Sequence, residues 1–366
     1  MENNTIKNSF YLRVSILLVG ICALGAIVFL GQAILLPLCY SLLFAILLDP
    51  AVMLLLRIKF PRIIAIVVVV LSAMAVTLLL IYFISSQVAS FSSSLPEFKA
   101  KGAAMLTQAE GWMASVFHTS QSNIHSRVSG AIKSLINNKQ TIMGSTLSTV
   151  SGLLFGAILV PVYTFMILYY KNLFLGFITK VFQKNNHAMV GEVMLQGRVM
   201  IHQYLIGLLL EAIIVATLNS LALIVIGIKY AILIGVIGAL LNVIPLIGGI
   251  VAVGLPVLMA VITKDSFTPA IFVTISYIAI QFLDNHFLIP KIVASRVKIN
   301  ALVSIVVVLM FGALCGIAGM FLAIPLTAVI KIIFDRIDPL KPWGYLLGDD
   351  IEPFNGFGKL FKVRKK

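Results

Sequence analysis

The sequence predicts an all-α, polytopic helical membrane protein, and three observations carry that reading. Of its 366 residues, 60% are hydrophobic and only 11% charged, where soluble domains carry roughly 25% charged residues. Its mean hydropathy is +1.09. Apolar runs of about 20 residues recur along the chain, the length a helix needs to cross ~30 Å of hydrocarbon. About eight membrane segments are expected, two of them broken or re-entrant, together with an amphipathic helical insertion.

The first span is expected at residues 14–30. Lys7 and Arg13 precede it as they would a leader peptide, but the stretch is long, shows no small-x-small cleavage site and runs straight into further spans. It reads as an uncleaved span. The following "AILLPLCYSLLFAILLDPAVMLLL" is expected to return, with Pro37 and the Asp49-Pro50 pair at bends or ends. A third span follows at 63–83. From the Ser-rich "SSQVASFSSSLPE" to residue 145 the chain turns polar. There Met105, Ala109, Trp112, Met113, Val116 and Phe117 recur at helical spacing, as do Ile124, Val128, Ile132, Leu135 and Ile136, so amphipathic helices are expected, not spans. They could lie on the headgroups or pack on one another or a neighbouring subunit.

A fourth span is expected at 147–170, with Pro161 able to kink it, then a basic link to Arg198 and a fifth span at 203–226. The expected organisation is thus N-terminal spans at 1–84, the insertion at 85–145, span four with its link at 146–200, a core region at 201–335 and a basic tail at 336–366.

Two later segments are too long for one crossing. Residues 230–263 carry "NVIPLIGGIVAVGLP", and a straight helix of that length would extend about 50 Å. Residues 300–334 hold Gly312, Gly316, Gly319 and Pro325. Each fits either one broken or tilted helix or a hairpin of two half-helices. The positive-inside bias favours hairpins. With Arg57, Lys59, Arg62 and the 171–198 link inside, only hairpins also place Lys291, Arg296, Lys298 and the tail "GKLFKVRKK" inside. Both chain ends are then expected on the cytoplasmic face. In transporters, interrupted segments of this kind often form the substrate site.

The net charge of +14 sits in gaps between apolar runs and in the tail, which fits anionic headgroups better than nucleic acid. Cys22, Cys39 and Cys315 lie far apart within apolar runs and read as packing residues. No Gly-rich phosphate loop, HExxH or G-x-S-x-G elbow is present. No enzyme, cofactor or metal site is expected, and any transport would run on a gradient or a separate engine.

Polarity concentrates instead in "QFLDNHFLIPK". Gln281, Asp284 and Asn285 are three and four apart, hence on one helical face. A carboxylate at mid-bilayer costs about 2.5–3.5 kcal/mol on insertion scales. The cluster therefore lines a solute or ion path, or else Asp284 lies near the interface in a structural pair. His286 points elsewhere. Glu211 is the lone acid of its span and joins the path candidates, with Asn219 and Gln203 as interhelical partners. Asn242, just before Pro245, could satisfy backbone groups freed by a break, and Gly248 and Gly249 suit a tight turn.

Four blocks from Gln203 onward, "YLIG", "GIKYAILIGVIGALLNVIPLIGGIVAVGLP", "QFLDNHFLIPKIV" and "GIAGMFLAIPLTAVIK", resemble the autoinducer-2 exporter (AI-2E) family, which includes PerM-like permeases. The first 200 residues agree in hydropathy and span order. The resemblance implies about eight segments, a homo-oligomer (a pentamer), and movement of a small polar solute across the bacterial inner membrane, with autoinducer-2, a quorum-sensing molecule, as the named cargo. It equally implies sodium/proton antiport in some members. Relatives often carry Glu where this chain has Asp284. A non-transporting scaffold that binds a partner through residues 85–145 is the reading from another class.

Overall fold

The computed structural model of the chain describes residues 10–93, 156–242, 248–264, 266–293 and 297–349, with isolated positions between 96 and 115. The regular elements among the described residues are all helical, and their one strand-like feature is an isolated antiparallel bridge between Ile299 and Gly348.

The chain begins with α1 (Phe10–Arg57), 48 residues long and so about 72 Å from end to end. The reversal expected after residue 30 does not occur. Gly31-Gln32 offers no polar loop, and an unbroken helix keeps backbone groups paired where no water can pair them. Pro37 and Pro50 both lie inside it. The charge count that placed both chain ends on one face relied on that reversal. The two halves differ in surroundings: Leu24 and Leu30 are exposed, whereas Leu43, Ala45 and Val52 are buried.

A turn through Lys59, whose φ is 65°, leads to α2 (Arg62–Ser93). The apolar run was expected to end at residue 83, but the helix continues. Ser86 donates to Phe83 O at 2.8 Å, Ser90 to Ser86 O at 3.1 Å and Ser92 to Ala89 O at 2.7 Å. Serines that bond back onto their own helix hide their polarity, which is why a Ser-rich stretch stays helical. Apart from isolated helical positions between 96 and 115, the remainder of the expected insertion, including Trp112 and Ile124, lies outside the described residues, as do residues 147–155.

Next come α3 (Gly156–Tyr169) and α4 (Lys171–Val181), bent by 63° at Tyr170; the sharp bend falls there and not at Pro161. A 3₁₀ turn (Lys184–Asn186) leads into α5 (His187–Ile226), which ends at Gly227 with φ 77° and its N–H bonded to Ile224 O, a left-handed helix stop only glycine makes cheaply.

Both long segments are hairpins. In the first, α6 (Ala231–Asn242) and α7 (Gly248–Thr263) run antiparallel. A Cβ added at Gly238 would lie 3.8 Å from Ala252 Cβ, though a straight helix would hold them about 21 Å apart. Ala231 and Ile234 share a core with Met259 and Ala260. Gly248 and Gly249, expected at a tight turn, belong to the first turn of α7; Pro245, with the rest of 243–247, lies outside the described residues.

After α8 (Thr268–Leu283) the chain continues as a wider, π-helical segment (Asp284–Val293). The second hairpin is α9 (Ala301–Arg336), which turns back at Cys315 (φ −133°, ψ 15°) and Gly316 (φ 63°, ψ −153°). A Cβ at Gly319 would overlap Phe311 O, and one at Gly312 would lie 3.0 Å from Met320 Cγ. Gly312 and Gly319 thus allow two arms to touch. Pro325, expected as a break, is buried within the second arm. A 3₁₀ turn (Asp338–Leu340) and α10 (Lys341–Leu347) then fold back onto α9.

By length and composition, five of the described helical stretches are long and apolar enough to cross a membrane, counting α9 with both hairpin arms as one, and six if the bent α3–α4 pair is one more. This is a polytopic helical membrane protein. α5 is its spine: one core joins it to α6, α7 and α8, another to α1, the end of the π segment and α9.

Candidate functional site: a buried polar junction on α5

Along α5, Gly207, Glu211, Val215, Asn219 and Leu223 are four apart and all buried, one stripe of a helix. Two glycine contacts fix what covers it. A Cβ at Gly207 would sit 2.7 Å from Ile292 O, so the π segment touches α5 backbone to backbone. A Cβ at Gly235 would sit 2.6 Å from Ser220 N, which brings α6 equally close about three and a half turns further on. Glu211, 4% exposed, lies between these contacts.

On the π segment that packs against this helix, Asp284 is 1% exposed. Asn242 Nδ2 donates to Asp284 Oδ2 at 2.6 Å. Gln281 Nε2 reaches Asn242 Oδ1 at 3.5 Å and Asn285 Oδ1 at 3.4 Å, both long. Asp284 Oδ1 is buried with no partner among the described residues. A π-helical stretch widens the turn and leaves the usual i→i−4 ladder, a feature frequent at functional sites; Pro290, which has no N–H to give, falls inside it.

The structure therefore brings together Glu211, Asn242, Gln281 and Asp284. Asn285 does not share the burial of Asp284: it is exposed, since neighbouring residues on a helix point about 100° apart. His286 is exposed, its Nδ1 3.0 Å from Phe282 O and its ring stacked on Phe282.

Two further oxygens extend the polar track. Asn219 Oδ1 and Tyr277 OH are also buried without partners among the described residues. Tyr277 was not singled out from sequence, although it stands four positions before Gln281 on α8. An unmade hydrogen bond on a buried group costs about 1–3 kcal/mol, so three on adjoining helices mark a place where polar company is expected. A carboxylate with one committed and one uncommitted oxygen can take a proton, a cation, or a hydroxyl from a solute. Among the described residues, no three His, Cys, Asp or Glu side chains gather as a metal ion would require.

Sequence reading also missed a second polar group. Asp49, taken as a helix punctuator, is 5% exposed. Lys171 Nζ lies 2.8 Å from both of its oxygens, and Arg198 bonds Oδ2 as well. This clamp ties α1 to the start of α4 and to α5.

Comparison with known proteins agrees with this architecture. The family model described as "AI-2E family transporter" matches residues 15–338. A Haemophilus influenzae protein provisionally named a transport protein is 27% identical over 92% of this chain and 97% of its own length. The AI-2 transport protein TqsA of Escherichia coli strain K12 is 24% identical over 86% of this chain and 90% of its own. YueF of Bacillus subtilis strain 168, another provisionally named transport protein, is 25% identical over 69% of this chain and 70% of its own. With nearly its whole length matched, the chain belongs to the AI-2E transporter family.

Proposed function

We propose that this membrane transporter exports a small polar solute, autoinducer-2 or a molecule like it, and does so without hydrolysing ATP. The observation that carries the reading is Asp284: a carboxylate sealed from solvent, held on one oxygen by Asn242 and uncommitted on the other. It sits where the tip end of one hairpin arm meets a π-helical segment. Glu211, Gln281 and Asp284 line the path, with Asn285 at its exposed edge and Asn219 and Tyr277 further along. Such groups stay in a membrane core only when water or cargo reaches them. The hairpins supply the movable ends. The name of TqsA supports the choice of cargo. We place the chain in the bacterial inner membrane as a homo-oligomer, with the Arg57–Arg62 turn and the C-terminal tail cytoplasmic.

The test is flux in reconstituted vesicles, comparing candidate solutes with and without a proton or sodium gradient. Asp284→Asn keeps the shape and removes the charge; it should lower solute flux at least tenfold while size-exclusion behaviour stays normal. Wild-type flux from a well-folded Asp284→Asn protein would end this reading. A second reading, sodium(lithium)/proton antiport, is favoured by a second buried carboxylate, Glu211, on the helix that packs against the segment carrying Asp284. It requires a pH-dependent cation flux that either neutralised acid abolishes.

A further inference from the structure

We propose a second binding site, outside the solute path, where Arg198 and His202 hold the phosphate of an anionic lipid headgroup. The site is the cavity of about 270 Å³ lined by Pro50, Arg198, Val199, His202 and Gln203. Four observations converge on it.

The first is charge. Asp49 faces two cations, Lys171 and Arg198, so one positive charge is unmatched. Lys171 covers both carboxylate oxygens at 2.8 Å, which shields an incoming anion from Asp49. The second is donor geometry. Arg198 engages Asp49 through one terminal nitrogen. A guanidinium carries five N–H groups in a rigid fork suited to phosphate, and Arg198, its side chain 44% exposed, also lines the cavity. His202 stands one helical turn further along α5 on the same wall. Of the remaining wall, Pro50 and Val199 are apolar, as the start of an acyl chain would need, and Gln203 adds an amide that can bond headgroup oxygens.

The third observation is level. Tyr169 and Tyr170, both exposed, immediately precede Lys171, and such aromatics mark the membrane–water interface. Arg62 donates to Leu168 O at 3.1 Å, which fixes the basic α1–α2 turn at the same level. The fourth is α4. It is bent 63° from α3, buries no residue, and exposes Leu173, Phe174, Phe177 and Val181, with Lys171 and Lys180 near its two ends. That is the pattern of a helix lying in the headgroup layer. The cavity therefore opens where phosphates of the bilayer stand, and the lipid is the source we assign.

The test uses the full chain purified in detergent, with native mass spectrometry and thermal unfolding on titration of phosphatidylglycerol, phosphatidylcholine or inorganic phosphate. Phosphatidylglycerol should stay bound and raise the unfolding midpoint, while phosphatidylcholine should not. Arg198→Lys keeps a cation for Asp49 but loses the fork; His202→Leu fills the pocket and leaves the clamp alone. Each should weaken phosphatidylglycerol binding at least about fivefold. Equal retention of phosphatidylcholine, or wild-type lipid affinity in the folded His202→Leu protein, would overturn the site. Stabilisation by inorganic phosphate at the same concentration would overturn its assignment to lipid. If Arg198→Lys fails to fold, His202→Leu decides alone.

Discussion

Asn242 and Asp284 join across 2.6 Å, linking the last residue of one hairpin arm to the first residue of the π-helical segment. Among the described residues, that bond is the one well-formed partner of a carboxylate 1% exposed. Replacing Asn242 by Leu should destabilise the protein by about 1–3 kcal/mol, the penalty for stranding a buried polar group, and should slow solute flux. Asn242→Asp, which sets two acids against each other, should be worse. Thermal unfolding and vesicle flux measured on both variants check this; an Asn242→Leu protein as stable and active as wild type would remove the bond from the site.

The contact between α5 and the π segment permits no side chain at Gly207. A Cβ there would stand 2.7 Å from Ile292 O, and the obstacle is backbone, which cannot swing aside. Gly207→Ala should cost about 1–3 kcal/mol as overpacking does and push residues 284–293 away from Glu211. Loss of flux should exceed what the stability loss predicts. Gly191→Ala, where nothing lies within 4 Å, is the control and should be neutral or slightly stabilising.

The hairpin turn in α9 separates steric from conformational roles of glycine. Gly316 has open space around it but φ 63° and ψ −153°, a region essentially reserved for glycine. Gly316→Ala should cost about 1–3 kcal/mol with no clash at all. Gly319→Ala meets Phe311 O and should be at least as costly. Gly312→Ala meets only the flexible Met320 side chain and should be the mildest. Unfolding midpoints that rank Gly312→Ala as the worst of the three would contradict the hairpin packing.

Asp49→Asn should be among the most damaging single changes near the interface. Asp49 is buried but Lys171 and Arg198 are 33% and 44% exposed, so losing their shared charged hydrogen bonds should cost about 1.5–3 kcal/mol. The pair between Arg336 and Glu192 offers the contrast, since both side chains are more than a third exposed. Glu192→Gln should change stability by under about 1 kcal/mol, less at high salt. Denaturant midpoints for the two variants at low and high salt test the difference.

How much of this was legible in the sequence depends on the range of the interaction. The hairpins could be read because length, proline and glycine are local properties: a 34-residue apolar stretch with a break in it has few ways to fit a bilayer. Asp284, Gln281 and Glu211 stood out because an ionisable or amide group in an apolar run is conspicuous by itself. The Asp49 clamp was hidden because its partners lie 122 and 149 residues away. The π winding was hidden too, since a change of pitch leaves no residue pattern as clear as a periodic stripe. The continuity of α1 and the extension of α2 depart from expectation for related reasons: in lipid the demand for paired backbone groups outweighs proline at a bend, and serines bonded back onto their own helix let it run past the end of the apolar run.

The cap at the start of α9 has a consequence for where the polypeptide can be cut. Asn300 accepts from Val303 N at 2.8 Å and donates to Leu346 O at 2.7 Å and Gly348 O at 3.1 Å. One amide thus stitches the root of the second hairpin to residues near the carboxyl terminus. Trimming the chain before residue 348 would unpick that seam and leave the hairpin anchored at one root only, whereas a purification handle added after it would leave the stitch intact.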